Sequence, residues 1–303
     1  MANYVNIASV LFDLPETKSI RNMKKAVLQN TKDTLEKLEG YGLDLVVLSE
    51  SVESKGQRLE DAETIKDPGP FIRTYMNFAE KEKCYVAGSV KLVEDGKIYN
   101  SIIFINSEGF PIGAYHKVNL TIWEIEGGLT PGKNAVVLDT SIGCLGGGIC
   151  FDLNFEELRK QYCRLKPDIM VFASNYHGGF VQALWAYECR AFFVSALPFL
   201  GGGIIDPFGR ELAVTDCYTP VAMARVNLDR VMVHLDYNRY KFSDIRKKYR
   251  EEVIVDIPPN IGSALIYSMT NKRTAMEVAE EFDLELIDDY FARSIKLNAN
   301  SRR

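Results

Sequence analysis

Apolar positions along the chain switch repeatedly between strand and helix spacing. Val5, Ile7 and Val10-Leu11 mark an opening strand from Tyr4 to Phe12. Ile20, Met23, Val27, Leu35 and Leu38 then recur at helical intervals, with Ser19 placed to cap that helix and Gly40 and Gly42 to stop it. Leu43 to Leu48 reads as a buried strand ending at Ser49-Glu50. A helix follows Pro70, from about Phe71 to Lys83, and Asp95-Gly96 is a hairpin signal between strands at Tyr85–Leu92 and Ile98–Ile105. After a turn at Ser107-Glu108-Gly109, a further strand runs through Ala114 towards Lys117. The second half repeats the alternation. Strands are expected at Ala135–Leu138, Cys144–Ile149, Asp168–Ala173, Gly202–Ile205 and Val221–Val226, and helices at Phe155–Leu165 and Gln182–Phe193, with a turn at Pro207-Phe208-Gly209.

Hairpins mixed with strand–helix units predict an α/β fold of mixed sheets with helices outside them. No low-complexity linker or short repeat interrupts the pattern. Residues 1–258 are therefore expected to form one domain of two similar halves, and 259–303 a carboxy-terminal extension for packing or oligomer contact.

Composition narrows the function. With 303 residues, 47% hydrophobic and 25% charged, the chain is of ordinary globular type. Its formal charge of −5 provides no basic field to displace counterions, which argues against a nucleic-acid partner. The cluster Arg246-Lys247-Lys248 is offset by Glu251, Glu252 and Asp256. The longest apolar window, Ala191 to Ile205, contains Pro198 and Gly201-Gly202-Gly203 and is too broken to span a bilayer. No basic side chain precedes Lys18 and Asp13 breaks the first apolar run, so no secretory leader is expected, and the six cysteines are expected as reduced thiols in the cytoplasm. No Cys-x-x-Cys occurs and there are only three histidines, so no metal site is expected.

Three residues at strand ends could carry chemistry: Glu50 after Leu45-Val46-Val47-Leu48-Ser49, Lys117 after Ala114-Tyr115-His116, and Cys150 after Leu145-Gly146-Gly147-Gly148-Ile149. Strand ends are where α/β sheets place reacting groups. Singly, each has an ordinary explanation: a solvated carboxylate, a surface lysine, a small core thiol. The three contexts together form an ordered pattern. It includes Leu48-Ser49-Glu50, Tyr99-Asn100-Ser101, Tyr115-His116-Lys117-Val118-Asn119-Leu120 and Leu129-Thr130-Pro131-Gly132. It continues through Gly147-Gly148-Ile149-Cys150-Phe151-Asp152, Trp185 to Arg190-Ala191, and Gly201 to Gly209.

This series resembles the nitrilase superfamily of carbon–nitrogen hydrolases. The resemblance implies a four-layer α-β-β-α sandwich with two mixed sheets, assembled as a homodimer or higher homo-oligomer. It further implies hydrolysis of a non-peptide C–N bond in a small carboxamide through a thioester on Cys150, with no cofactor. Glu50 would be the base, and Lys117 would stabilise the oxyanion with the backbone N–H of Phe151. The Lys117 ammonium would also favour the thiolate of Cys150. The family's second glutamate is placed on Glu126, in Ile125-Glu126-Gly127, with Glu124 the close competitor. Asn175, Tyr176 and His177 are candidates for substrate binding. Phe151-Asp152 after the nucleophile is the amidase-like choice, where nitrilases usually carry Trp-Glu. N-carbamoyl amide hydrolysis and then nitrile hydrolysis are the alternatives. A cysteine–histidine hydrolase would require His177 beside the nucleophile, and a non-enzymatic scaffold would leave the triad vestigial.

Overall fold

The structure is a computed structural model that describes residues 2–13, 20–198 and 200–302. The proposed cap Ser19 lies outside the described residues. The chain divides into two compact units, Val5–Arg225 and a smaller one of Met1–Tyr4 with Val226–Arg303.

In the larger unit, strands β1 (Tyr4–Val10), β2 (Leu45–Val47), β3 (Tyr85–Glu94), β4 (Lys97–Ile105) and β5 (Pro111–His116) build one sheet. Strands β6 (Val137–Thr140), β7 (Gly143–Ile149), β8 (Ile169–Ala173), β9 (Phe192–Ala196), β10 (Gly203–Ile205) and β11 (Glu211–Val214) build a second. With β12 (Val221–Asn227), the strand orders are β12-β1-β2-β3-β4-β5 and β11-β10-β9-β8-β7-β6. Each sheet has a parallel centre, β1-β2-β3 in one and β7-β8-β9 in the other, with antiparallel pairing along β3-β4-β5, β6-β7 and β9-β10-β11. The parallel central strands are apolar on both faces, as strands covered from both sides must be.

The sheets lie face to face, β2 and β3 against β8 and β4 against β7. Ser9 Oγ donates across the interface to the Ser195 carbonyl at 2.5 Å. Helices α1 (Ile20–Glu36) and α3 (Pro70–Glu82) cover the outer face of the first sheet, burying Val27, Leu35, Phe71 and Phe78 against Val46 and Val86. A short helix α2 (Ser51–Gly56) follows Glu50, and another, α4 (Ile122–Glu126), lies in the loop after Lys117. Helices α5 (Glu156–Leu165) and α6 (Val181–Cys189) cover the second sheet, with Trp185 packed on Tyr162 and Phe193. This is the expected α-β-β-α sandwich. The expected helix at Gln182–Phe193 ends early: Arg190 caps α6 at φ +58°, and Phe192–Ala196 is the buried strand β9. Its continuous apolar run does not distinguish a buried strand from a buried helix.

The smaller unit has its own antiparallel sheet, β13 (Arg230–His234), β15 (Ser263–Ser268) and β14 (Val253–Asp256), in the order β13-β15-β14. Helices α7 (Phe242–Tyr249) and α8 (Ala275–Glu281) bury Phe242, Ile245 and Val278 against it, and α9 (Ile287–Ser301) ends the chain's described structure. The units therefore part at Arg225/Val226, ahead of the boundary expected at 258. A cut at 258 would split β14 from its hydrogen-bonded partner β15. Among the described residues, no helix is long and apolar enough to cross a membrane.

Candidate active site

Glu50, Lys117 and Cys150 meet where strand ends of the two sheets converge. The antiparallel register pairs Ser101 with His116, which sets Asn100 beside Lys117, and the Lys117 N–H donates to the Asn100 carbonyl at 2.9 Å. On the facing sheet, β8 delivers Ser174 and Asn175 to the end of β2, where Ser49 Oγ donates to the Ser174 carbonyl at 3.0 Å.

Glu50 is buried and its carboxylate is fully occupied. One oxygen accepts from Lys117 Nζ at 3.0 Å and Asn100 Nδ2 at 2.9 Å, and the other from the Asn175 N–H at 3.0 Å and Asn175 Nδ2 at 2.8 Å. Four donors match the four lone-pair positions of an ionised carboxylate. Lys117 is buried at 1% exposure and donates to both oxygens of Glu124, at 2.9 and 2.8 Å. Burial pushes the Lys117 ammonium down, but the charges of Glu50 and Glu124 and the hydrogen bond to Glu124 outweigh it and hold the ammonium above its ordinary range. Burial likewise pushes Glu124 up, yet the Lys117 charge and the donors around Glu124 bring it below the usual carboxylate range.

The structure corrects the placement of the second glutamate. Glu124, not Glu126, reaches Lys117 and Asn100, while Glu126 is exposed. The reason is local. Thr121 and Glu124 form a capping box: the Glu124 N–H donates to Thr121 Oγ1, and the Thr121 N–H and hydroxyl donate to Glu124 Oε2 at 2.8 and 2.9 Å. The box turns Glu124 inward, and a residue two further along the helix cannot share its direction.

Cys150 follows β7 in the left-handed region, at φ +48°, and opens a 3₁₀ turn over Cys150–Asn154. A non-glycine residue there carries about 1–3 kcal/mol of strain, maintained by its surroundings. Gly147 brings β7 close under the facing sheet, since a Cβ on it would lie 2.7 Å from Tyr115 Cβ. Asp152 fixes the turn. Fully buried, it accepts from Tyr115 OH at 2.7 Å, the Ile149 N–H at 3.1 Å, and the Asn119 N–H and Nδ2 at 2.7 and 3.0 Å. Tyr115 and Asn119 flank Lys117 by two residues on each side, so one carboxylate clamps the nucleophile turn to the lysine segment. Burial pushes the Asp152 carboxyl up to about 6 against these donors.

Burial and then the Glu50 charge push the Cys150 thiol up to about 12, against Lys117, the Asn175 N–H and the Ser174 hydroxyl. The thiolate expected beside an ammonium is therefore not the resting form, because burial and the carboxylate outweigh the lysine. Tyr176 OH accepts from Asn154 Nδ2 at 2.7 Å beside the nucleophile turn. Phe151 packs edge-on against Phe155. His177 is exposed: its Nδ1 accepts the Gly179 N–H at 3.0 Å, and the residue lines a cavity of about 340 Å³ with Phe180, Gln182, Ser195 and Glu211 rather than with Cys150.

Two features escaped the sequence reading of the site. Asn100, the middle residue of Tyr99-Asn100-Ser101, bridges Glu50 and Glu124 through its Nδ2. Three residues after Glu50, Glu53 forms a buried ion pair with Lys91 of β3. Burial pushes the Glu53 carboxyl up to about 7, although Lys91 opposes it. Lys91→Met is expected to destabilise the protein by about 3–5 kcal/mol, because it strands a buried carboxyl. Adding Glu53→Gln should recover much of that loss, and urea unfolding of the single and double variants checks both outcomes.

A thiol, a buried carboxylate and a buried ammonium thus meet at the sheet ends of an α-β-β-α sandwich. The chain belongs to the carbon-nitrogen hydrolase family, whose sequence profile matches residues 17–232. Among curated relatives, a hydrolase of Schizosaccharomyces pombe is 27% identical over 252 residues, covering 70% of this chain and 78% of that protein. The chloroplastic omega-amidase of Arabidopsis thaliana is 22% identical over 262 residues, covering 75% and 71%. Among solved structures, Saccharomyces cerevisiae Nit3, a member of branch 10 of the nitrilase superfamily, superposes with a TM-score of 0.65 at 21% identity, covering 82% of this chain and 95% of that one. A glutamate-to-glutamine variant of the amidase from Nesterenkonia sp. AN1, carrying the acetamide moiety of fluoroacetamide on its active-site cysteine, gives 0.62 at 14% identity, covering 81% and 96%.

Proposed function

We propose that the protein hydrolyses the C–N bond of a small linear carboxamide through a Cys150 thioester. The observation that carries this reading is the buried Glu50–Lys117–Glu124 network beside a half-buried thiol, within a family of carbon–nitrogen hydrolases that includes omega-amidases. The covalent adduct on the cysteine of the Nesterenkonia amidase supports the same chemistry.

In the first half-reaction Glu50 takes the thiol proton as Sγ attacks the carbonyl carbon. A thiol held near 12 is protonated at neutral pH, so proton removal must accompany attack. Glu50 already accepts four hydrogen bonds, so one donor has to yield. Asn175 Nδ2 is suited to this, since it also donates to Ser54 Oγ at 3.1 Å and stays held when it releases Glu50. The oxyanion is stabilised by Lys117 and the Phe151 N–H, while Glu124 and Asn100 hold the lysine and the base in place. Glu50 returns the proton to the departing nitrogen, releasing ammonia or an amine and leaving the thioester. In the second half-reaction Glu50 takes a proton from water, hydroxide attacks the thioester, and the carboxylic acid leaves as the thiol is restored.

Ammonia release across a panel of linear amides, N-carbamoyl compounds and nitriles tests the assignment, with turnover expected among the amides. Lys117→Ala should lower that turnover by about 10²–10³-fold or more, as loss of a positioned oxyanion donor does. His177→Ala should have a much smaller effect. The reverse ranking would favour a cysteine–histidine hydrolase, and absence of turnover by the unmutated chain across the whole panel would favour a non-enzymatic scaffold.

A further inference from the structure

Away from the active site, α5 and α6 carry two thiols in contact. Cys163 Sγ and Cys189 Sγ lie 3.7 Å apart, on helices that are also joined by an ion pair between Arg159 and Glu188 at 2.6 Å. Cys189 is buried and Cys163 is half-buried, so Cys163 is the more exposed residue of the pair. Among the described residues, no group of three or more His, Cys, Asp or Glu could hold a metal ion, so this pair lacks the further ligands a metal centre needs. A disulfide requires the sulfurs to close to about 2.05 Å from the van der Waals contact they already make. The proposed hydrolysis uses neither thiol.

We propose that Cys163 and Cys189 form an intramolecular disulfide, joining α5 to α6, when the protein meets a small disulfide oxidant of the glutathione class. The pair is chemically asymmetric. The hydrogen bond from Cys189 holds the Cys163 thiol below its ordinary range despite burial, with Arg159 and Arg190 assisting, while the same bond and burial push Cys189 up. Cys163 is therefore the attacking sulfur. Its thiolate attacks one sulfur of the oxidant and expels one molecule of thiol. Cys189 then loses its proton and attacks the Cys163 sulfur, expelling the second. Two electrons and two protons leave the protein, and the oxidant is reduced to two thiols.

The bond would fasten the far ends of two helices whose near ends hold the active site. Helix α5 follows the Cys150–Asn154 turn, and α6 follows the loop carrying Asn175. Between them, Trp185 Nε1 donates to the Leu153 carbonyl at 3.0 Å.

The test incubates the full chain with excess oxidised glutathione, blocks free thiols, and maps peptides without reduction. The expected product is a cross-linked pair of peptides containing Cys163 and Cys189, lighter by two hydrogens than the separate peptides. It should be reversed by dithiothreitol and accompanied by a melting temperature raised by about 5 °C. Cys163→Ser should abolish both signals with basal turnover unchanged. Cys189→Ser should instead trap a mixed disulfide on Cys163, which keeps the test decisive if the first variant folds poorly. Recovery of both cysteines as blocked thiols, or of Cys163 as a lasting mixed disulfide in the unmutated chain, would overturn the proposal. Cys150 and the exposed Cys217 serve as internal controls for oxidant reactivity, so a failure here leaves the hydrolase reading untouched.

Discussion

Cys150→Ala is expected to reduce turnover by about 10⁵–10⁶-fold, to background, because no other group can form the acyl intermediate. The fold should be nearly unaffected. Alanine keeps the Cβ and so the same φ of +48°, while the clamp on the turn belongs to Asp152 rather than to the thiol. Removing one half-buried sulfur also forms only a small cavity compared with truncating a core aliphatic residue. Ammonia release and thermal melting on the same preparation separate the two effects. Substantial residual turnover by a well-folded variant would remove Cys150 from the mechanism, and loss of folding would move its role to the scaffold.

The strand ends that bear Glu50, Lys117 and Cys150 were legible because apolar runs terminate there, and because three such ends in order form a pattern no single residue could. The lateral organisation of the site was not. Asn100 bridges two carboxylates only because β4 and β5 pair in the register Ser101–His116, and pairing register is a tertiary property. Asp152 likewise joins segments more than thirty residues apart in sequence, with Asn119 its partner from the lysine loop. The choice between Glu124 and Glu126 is itself legible in the sequence. Thr121-Ile122-Trp123-Glu124 has the spacing of a capping box, and that signal distinguishes Glu124 from Glu126 without a structure.

The electrostatics show a different limit. From sequence, a lysine near a cysteine argues for a thiolate. In the folded protein the same lysine is committed to Glu50 and Glu124, and burial with the Glu50 charge prevails at the thiol. The sign of that balance depends on desolvation, which adjacency in sequence does not report. It also means that Glu50, which after burial helps to push the Cys150 thiol up at rest, is the group proposed to deprotonate it during attack.

This dual role gives Glu50→Gln two effects of opposite direction. Turnover should fall by about 10²–10⁴-fold or more, since the amide cannot accept a proton in either half-reaction. The resting thiol should become more acidic, because the Glu50 charge that pushes it up is gone while Lys117 remains. Alkylation of Cys150 by an uncharged electrophile, followed against pH by intact-protein mass spectrometry, should therefore move to lower pH in the variant. Glutamine also offers donors where Glu50 accepts from Lys117 and Asn175, so thermal melting must accompany the measurement to confirm an intact fold. With a turned-over amide, deacylation should be slower still than the weakened acylation, and acyl mass should accumulate on the protein, absent when Cys150 is also replaced. A folded, unmodified Glu50→Gln protein that turns over near the wild-type rate would remove Glu50 as the base. Loss of turnover with an unshifted alkylation profile would instead show that its carboxylate does not govern the thiol.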